Sequence, residues 1–131
     1  MDEGLTIVKA LRSRYDGRTR NPWNEYECGN WYARAMSSFA MVGALSGFRY
    51  SAVDKTLWFG PKLKVHPFVS LFSTASGFGT ISLEGHNLTV RMVEGELTIQ
   101  KLQFTDVDGG TRSLDWNATA KVNAPATRSL T

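Results

Sequence analysis

Residues Asn87 to Gln100 read Asn-Leu-Thr-Val-Arg-Met-Val-Glu-Gly-Glu-Leu-Thr-Ile-Gln. Leu88, Val90 and Met92 alternate with polar positions, the period-two pattern of a strand with one face buried. Glu94-Gly95 breaks the pattern, and Leu97 and Ile99 answer on what reads as a return strand. A strand, a glycine turn and a second strand account for this spacing, which predicts a β-hairpin. Strands are expected on both sides of it. Thr56 to Phe59 is a short one stopped by Gly60-Pro61; Phe68 to Ser73 and Gly77 to Leu83 precede the turn signal Glu84-Gly85-His86. Beyond the hairpin, Asp108-Gly109-Gly110 turns the chain into Leu114, Trp116, Ala118, Ala120 and Val122, which alternate again.

Before residue 50 the period is helical. Leu5, Val8, Leu11 and Tyr15 share one face, and Asp16-Gly17 ends that helix. Asn30 offers an N-cap and Gly47 a C-terminal stop for a second helix, with Trp31, Met36, Phe39, Val42 and Leu45 as its apolar ring. The expected fold is α+β: helices over about 4–15 and 31–46 packed on a mainly antiparallel sheet over about 55–122. The organisation follows as a helical segment 1–49, a β region 50–122 and a tail 123–131.

The chain has 131 residues, 42% hydrophobic and 21% charged, enough for one domain with a core and too little for two. A net charge of +3 includes Arg12, Arg14, Arg18 and Arg20 near the start. That cluster reads as a solvated surface, and no nucleic-acid motif accompanies it. The single Cys28 rules out an intramolecular disulfide and fits a reducing compartment, so a cytoplasmic location is expected. No signal peptide or twenty-residue apolar run is visible, and no membrane span is expected.

Most candidate chemistry is thin. Asp106-Val107-Asp108-Gly109-Gly110 lacks the later oxygen ligands of a calcium loop. His66 and His86 have no zinc-ligand spacing, Cys28 has no nucleophile's partner, and no glycine-rich phosphate loop is present. Neither metal nor cofactor is expected. Asn87-Leu88-Thr89 and Asn117-Ala118-Thr119 match the glycosylation sequon.

The denser signal lies in Asn21 to Gly47. Arg34 is the only charge between Trp31 and Leu45, so within an apolar helix it needs an acceptor. On one continuous helix Glu25 would face away from Arg34; a bend at Gly29 brings them together. Glu27 lies on roughly the same face as Arg34, about 10 Å along the axis. Either carboxylate can serve as partner. A carboxylate and a guanidinium beside Trp23, Tyr26, Trp31 and Tyr32 suit a polyhydroxylated ligand: the carboxylate accepts from hydroxyls, the arginine donates, and a ring covers the sugar face. The competing reading is a structural ion pair with the aromatics in the core.

The run Arg20 to Phe48 closely resembles a segment of glycoside hydrolase family 116, the group of non-lysosomal glucosylceramidases and microbial β-glucosidases. Asn21, Pro22, Trp23, Asn24, Glu25, Glu27, Cys28, Tyr32, Ala33, Arg34, Ala35 and Met36 match the family motif in order, and Leu45-Ser46-Gly47-Phe48 matches its closing phrase. The resemblance extends over residues 3 to about 104, with its specific motifs in 20–48. It implies the end of an (α/α)6 barrel followed by a β tail, from enzymes that hydrolyse β-glucosides with retention using two carboxylates. The matched motif contains neither of those. It implies that Glu25 and Arg34 bind glucose, with Asn24, Glu27 and Trp31 as possible supporting residues. Trp31 stands where the family has His, so that side chain's hydrogen bonds are missing.

The expected function is therefore that of a C-terminal glycoside hydrolase fragment, which supplies glucose-subsite residues for a carbohydrate or glycolipid without the catalytic pair. Alone, it is expected to be inactive and, because of the apolar helix, a homodimer. The alternative is a free-standing, non-catalytic carbohydrate-binding or interaction module.

Overall fold

The computed structural model describes residues 2–14, 18 and 39–131. The chain forms two compact units, 1–41 and 42–131. In the first, helix α1 (Asp2–Arg12) carries Asp2 and Glu3 in its first turn and Lys9 and Arg12 in its last, each sign matched to the helix dipole. Of its apolar stripe, Leu5 and Val8 are half-buried and Leu11 is exposed. Helix α2 (Ala40–Ser46) leads into the second unit. Among the described residues, no helix is long and apolar enough to cross a membrane.

Seven strands follow: β1 (Arg49–Ser51), β2 (Thr56–Phe59), β3 (Phe68–Thr74), β4 (Gly77–Glu84), β5 (Asn87–Thr105), β6 (Thr111–Lys121) and β7 (Ala126–Ser129). Three of them, β2 to β4, lie close to where the alternation predicts strands. The nineteen-residue β5 is central. Its first half pairs antiparallel with β4 on one edge and β7 on the other. Its second half pairs antiparallel with β6 and parallel with β2. β1 and β3 complete the two ends of the strand order β1-β2-β5-β4-β3.

The fold expectation is corrected accordingly. The protein is mostly β, a nearly closed mixed sheet with two short helices among the described residues; it is neither an α+β sandwich of helices on a sheet nor the end of an (α/α)6 barrel with a β tail. Parallel pairing of Thr56–Phe59 with Lys101–Phe104 makes the sheet mixed. Residues 123–131, expected as a tail, contain β7, and Leu130 is buried with its N–H donated to the His86 carbonyl at 2.8 Å.

The hairpin at Glu94-Gly95 is also corrected: β5 runs straight through it. Leu88, Val90 and Met92 point inward, then Leu97 and Ile99, then Leu102 and Phe104. The inward parity switches twice, as it does wherever one strand carries an extra residue. The first switch lies at Val93, left unpaired where the register with β4 shifts from Met92 against Gly79 to Glu94 against Phe78; Gly95, at φ +74°, follows two residues on. The second is a bulge around Gln100, whose N–H bonds the Lys55 carbonyl at 2.8 Å. A side chain at Gly95 would run into the Ser76 carbonyl, and one at Gly77 into that of Glu94. Glu96 N–H donates to the same Ser76 carbonyl at 3.1 Å.

The core lies between the two ladders. Phe59 of β2 meets Phe68 of β3 edge-on at 5.9 Å, and Phe48 stacks on Phe72 at 4.8 Å. Leu57, Ile81, Leu88, Val90, Leu97, Ile99 and Leu102 are fully enclosed around them. Truncating any of these leucines to alanine would remove transfer energy and leave a cavity, about 2–5 kcal/mol.

Gly95→Ala is expected to destabilise the protein by about 2–5 kcal/mol, combining positive-φ strain with overpacking. Gly85, at φ +57° with open space where a Cβ would stand, provides the control. Gly85→Ala should cost only about 1–2 kcal/mol. Urea unfolding of both variants compares them; equal losses would dismiss the close approach at Gly95 as a stabilising constraint.

Candidate functional site

The sequence-predicted sugar site, Glu25 and Arg34 with Asn24, Glu27 and Trp31, lies outside the described residues, as does Cys28. The β unit does describe the phrase that closes the same motif. Gly47 ends α2 at φ +62° with its N–H on the Gly43 carbonyl at 2.8 Å, the expected left-handed helix stop. The fully buried Ser46 donates its hydroxyl to the Val42 carbonyl at 2.7 Å and accepts from Phe48 N–H at 3.2 Å. Gly60 N–H bonds the Ser46 carbonyl at 3.0 Å and Lys62 N–H the Leu45 carbonyl at 2.8 Å. A Cβ at Gly47 would stand 2.6 Å from the Gly60 carbonyl oxygen. The helix end is therefore pinned backbone to backbone against the segment after β2.

Beside this junction opens a cleft of about 350 Å³ whose lining includes Arg49, Trp58, Lys62, Gln103 and Thr105. Register explains the grouping. Arg49 on β1 faces Trp58 on β2, Trp58 faces Gln103 on β5, and Gln103 faces Ser113 on β6. This row alternates with Leu57, Phe59, Leu102 and Phe104, so it occupies the face turned from the core. The Arg49 guanidinium lies over the Trp58 ring at 4.1 Å, a contact of about 0.5–1 kcal/mol at an exposed site. Gln103 donates its side-chain amide to the Ser113 hydroxyl at 2.9 Å.

A second cleft, of about 510 Å³, lies between the ladders where β5 changes partners. Phe48 and Tyr50 contribute its aromatic surface, and Lys55, Glu96, Thr98 and Ser76 its polar rim. Tyr50 donates its hydroxyl to the Thr98 carbonyl at 2.6 Å. Glu96 is drawn toward Lys121 at 3.5 Å, an exposed pair of little energetic weight.

The Asp106–Gly110 segment is a self-capped turn. One Asp106 carboxylate oxygen accepts from Asp108 N–H at 3.0 Å and Gly110 N–H at 2.8 Å, and Lys64 pairs with Asp108 at 3.0 Å. His66 and His86 are both exposed. Asn117 is exposed at φ +47° beside the β5–β6 register shift, and Asn87 opens β5 after its turn.

The Arg49–Trp58 pair went unseen in the sequence. A signal for it existed: Trp58 sits between Leu57 and Phe59 in a four-residue strand, so two-residue alternation turns it outward. The missing element was β1, a three-residue strand too short to carry a visible period.

Burial holds the Tyr50 phenol above its ordinary value of 10.0 by disfavouring the phenolate. The unfolded chain therefore loses this proton first as pH rises. Tyr50 should leave stability unchanged below about pH 10 and erode it above that. Tyr50→Phe should cost about 1 kcal/mol at neutral pH and flatten the alkaline decline. Urea midpoints of the parent and variant on either side of pH 10.0 check this; parallel curves would contradict the raised pKa.

No protein-family model matches the chain, and no curated protein matches it.

Proposed function

We propose that this chain is the C-terminal part of a β-glucosidase- or glucosylceramidase-like glycoside hydrolase. In this reading Glu25 and Arg34 bind the glucose unit of a carbohydrate or glycolipid, and the catalytic carboxylate pair comes from outside these 131 residues. The observation that carries it is the ordered motif from Asn21 to Met36, closed by Leu45-Ser46-Gly47-Phe48. A carboxylate accepting two sugar hydroxyls opposite a guanidinium that donates to them is strong, directional recognition. The closing phrase supports the reading: the resemblance implies a helix that ends in Leu45-Ser46-Gly47-Phe48, and α2 ends there with Gly47 at φ +62°.

A second reading, a free-standing carbohydrate-binding module, is favoured by the β unit's own enclosed core. Both readings place sugar at Glu25 and Arg34, and they part on catalysis.

Tryptophan fluorescence of the full chain during glucose titration tests the shared claim. A saturable change is expected, weakened about tenfold or more in Glu25→Gln because one charged hydrogen-bond acceptor is neutralised. A flat titration, or an unaltered one in the variant, would reduce Glu25 and Arg34 to an ion pair without a ligand.

A further inference from the structure

We propose that the cleft between the end of α2 and the outer face of β1, β2 and β5 is a second binding site, for an anionic hexose. It does not rest on the reading that gives Glu25 and Arg34 a glucose unit.

Three features of the cleft define its chemistry. The first is charge. Arg49 and Lys62 line it, both side chains are exposed, and among the described residues its lining includes no carboxylate. Among the described residues neither makes an ion pair; the Arg49 guanidinium rests on the Trp58 ring instead. The one carboxylate in the neighbouring register row, Asp115, stands opposite Lys101 and outside the lining. Two cations without a counter-charge favour an anion over a neutral ligand.

The second feature is orientation. A guanidinium resting on an indole keeps its N–H edges in plane and free, and stacking reduces the freedom lost when they engage an anion. A carboxylate or phosphate oxygen pair fits that fork in bidentate fashion, with the Lys62 ammonium as a further donor.

The third is the polar surface beyond the fork. Gln103 spends its amide N–H₂ on Ser113, which leaves its carbonyl oxygen as an acceptor. Thr105 shares a hydrogen with Thr111 at 3.2 Å and can accept or donate another. These groups suit ring hydroxyls, and a volume of about 350 Å³ lies at the small-ligand end of binding pockets. Neighbouring strands stand about 4.8 Å apart, so the two steps from Arg49 to Gln103 span about 10 Å, room for one hexose together with its anionic substituent. The chemistry common to candidate ligands is a hexose bearing one anionic group, either a uronate carboxylate or a phosphate ester.

The test follows the Trp58 indole N–H resonance of the ¹⁵N-labelled full chain during titration with glucuronate, glucose 6-phosphate and glucose. Inorganic phosphate and acetate serve as sugar-free anions. Arg49→Gln and Lys62→Gln are compared with the parent; both positions are exposed, so folding should be kept. Saturable shifts are expected with at least one anionic hexose, at least about tenfold tighter than with glucose. Each variant should weaken them several-fold, and added salt should do the same. A response to glucuronate alone identifies a uronate site, to the phosphate ester alone a phosphosugar site, and to both a site that reads charge and ring. No shift with either anionic hexose overturns the proposal. So does equal affinity for glucose, saturation by phosphate or acetate at matching concentrations, or parent-like binding in Arg49→Gln.

Discussion

Two backbones, β5 at Gly95 and the β3–β4 turn at Ser76–Gly77, meet with no space for a side chain between them. That approach decides how one long strand serves two ladders. Up to Gly95, β5 pairs with β4 and β7; beyond it, with β6 and β2. Just ahead of that approach the unpaired Val93 turns the pleat over, so Leu97 and Ile99 continue the interior that Leu88, Val90 and Met92 began. Without that reversal half of β5 would present its apolar residues to solvent. The enclosed aromatic core of Phe59, Phe68 and Phe104 depends on both halves facing inward.

The same residues explain what could and could not be read from the sequence. β3 and β4 were legible because each keeps one parity from end to end, and the short β2 because Gly60-Pro61 stops it. Around Gly95 the parity changes, and a hairpin turn and a bulged bend produce the same local pattern. Only tertiary pairing separates them, through the carbonyl of Ser76 and the register with β4. β7 escaped notice for a different reason. Ala126 is the sole apolar residue of Ala126–Ser129, and its strand character comes from the edge of β5 rather than from its own sequence.

Site chemistry divides similarly. Gly47 was legible as a helix stop because its role is local, a single left-handed residue. The reason for its pairing with Gly60 was not, since that requires two backbones from separate elements to touch. Likewise, Arg49 and Trp58 are brought together by a tight connection over Ala52–Lys55 that contains no glycine; Lys55 itself takes φ +49°. The motif bearing Glu25 and Arg34 was legible by resemblance, and it lies outside the described residues.

The parallel ladder between β2 and β5 constrains the order in which the β unit can assemble. β3, β4 and the first half of β5 follow one another through short turns, so their contacts close small loops. β2 precedes all three in the chain yet pairs with the far half of β5, Thr56 against Lys101 and Phe59 against Phe104. Its docking closes a loop that contains the whole meander, and loop-closure entropy rises with length. Such non-local pairing is the slow kind. The bonds that pin the end of α2 to Gly60 and Lys62 cross only β1 and β2, so that corner closes short loops and can dock on β5 as a preformed piece.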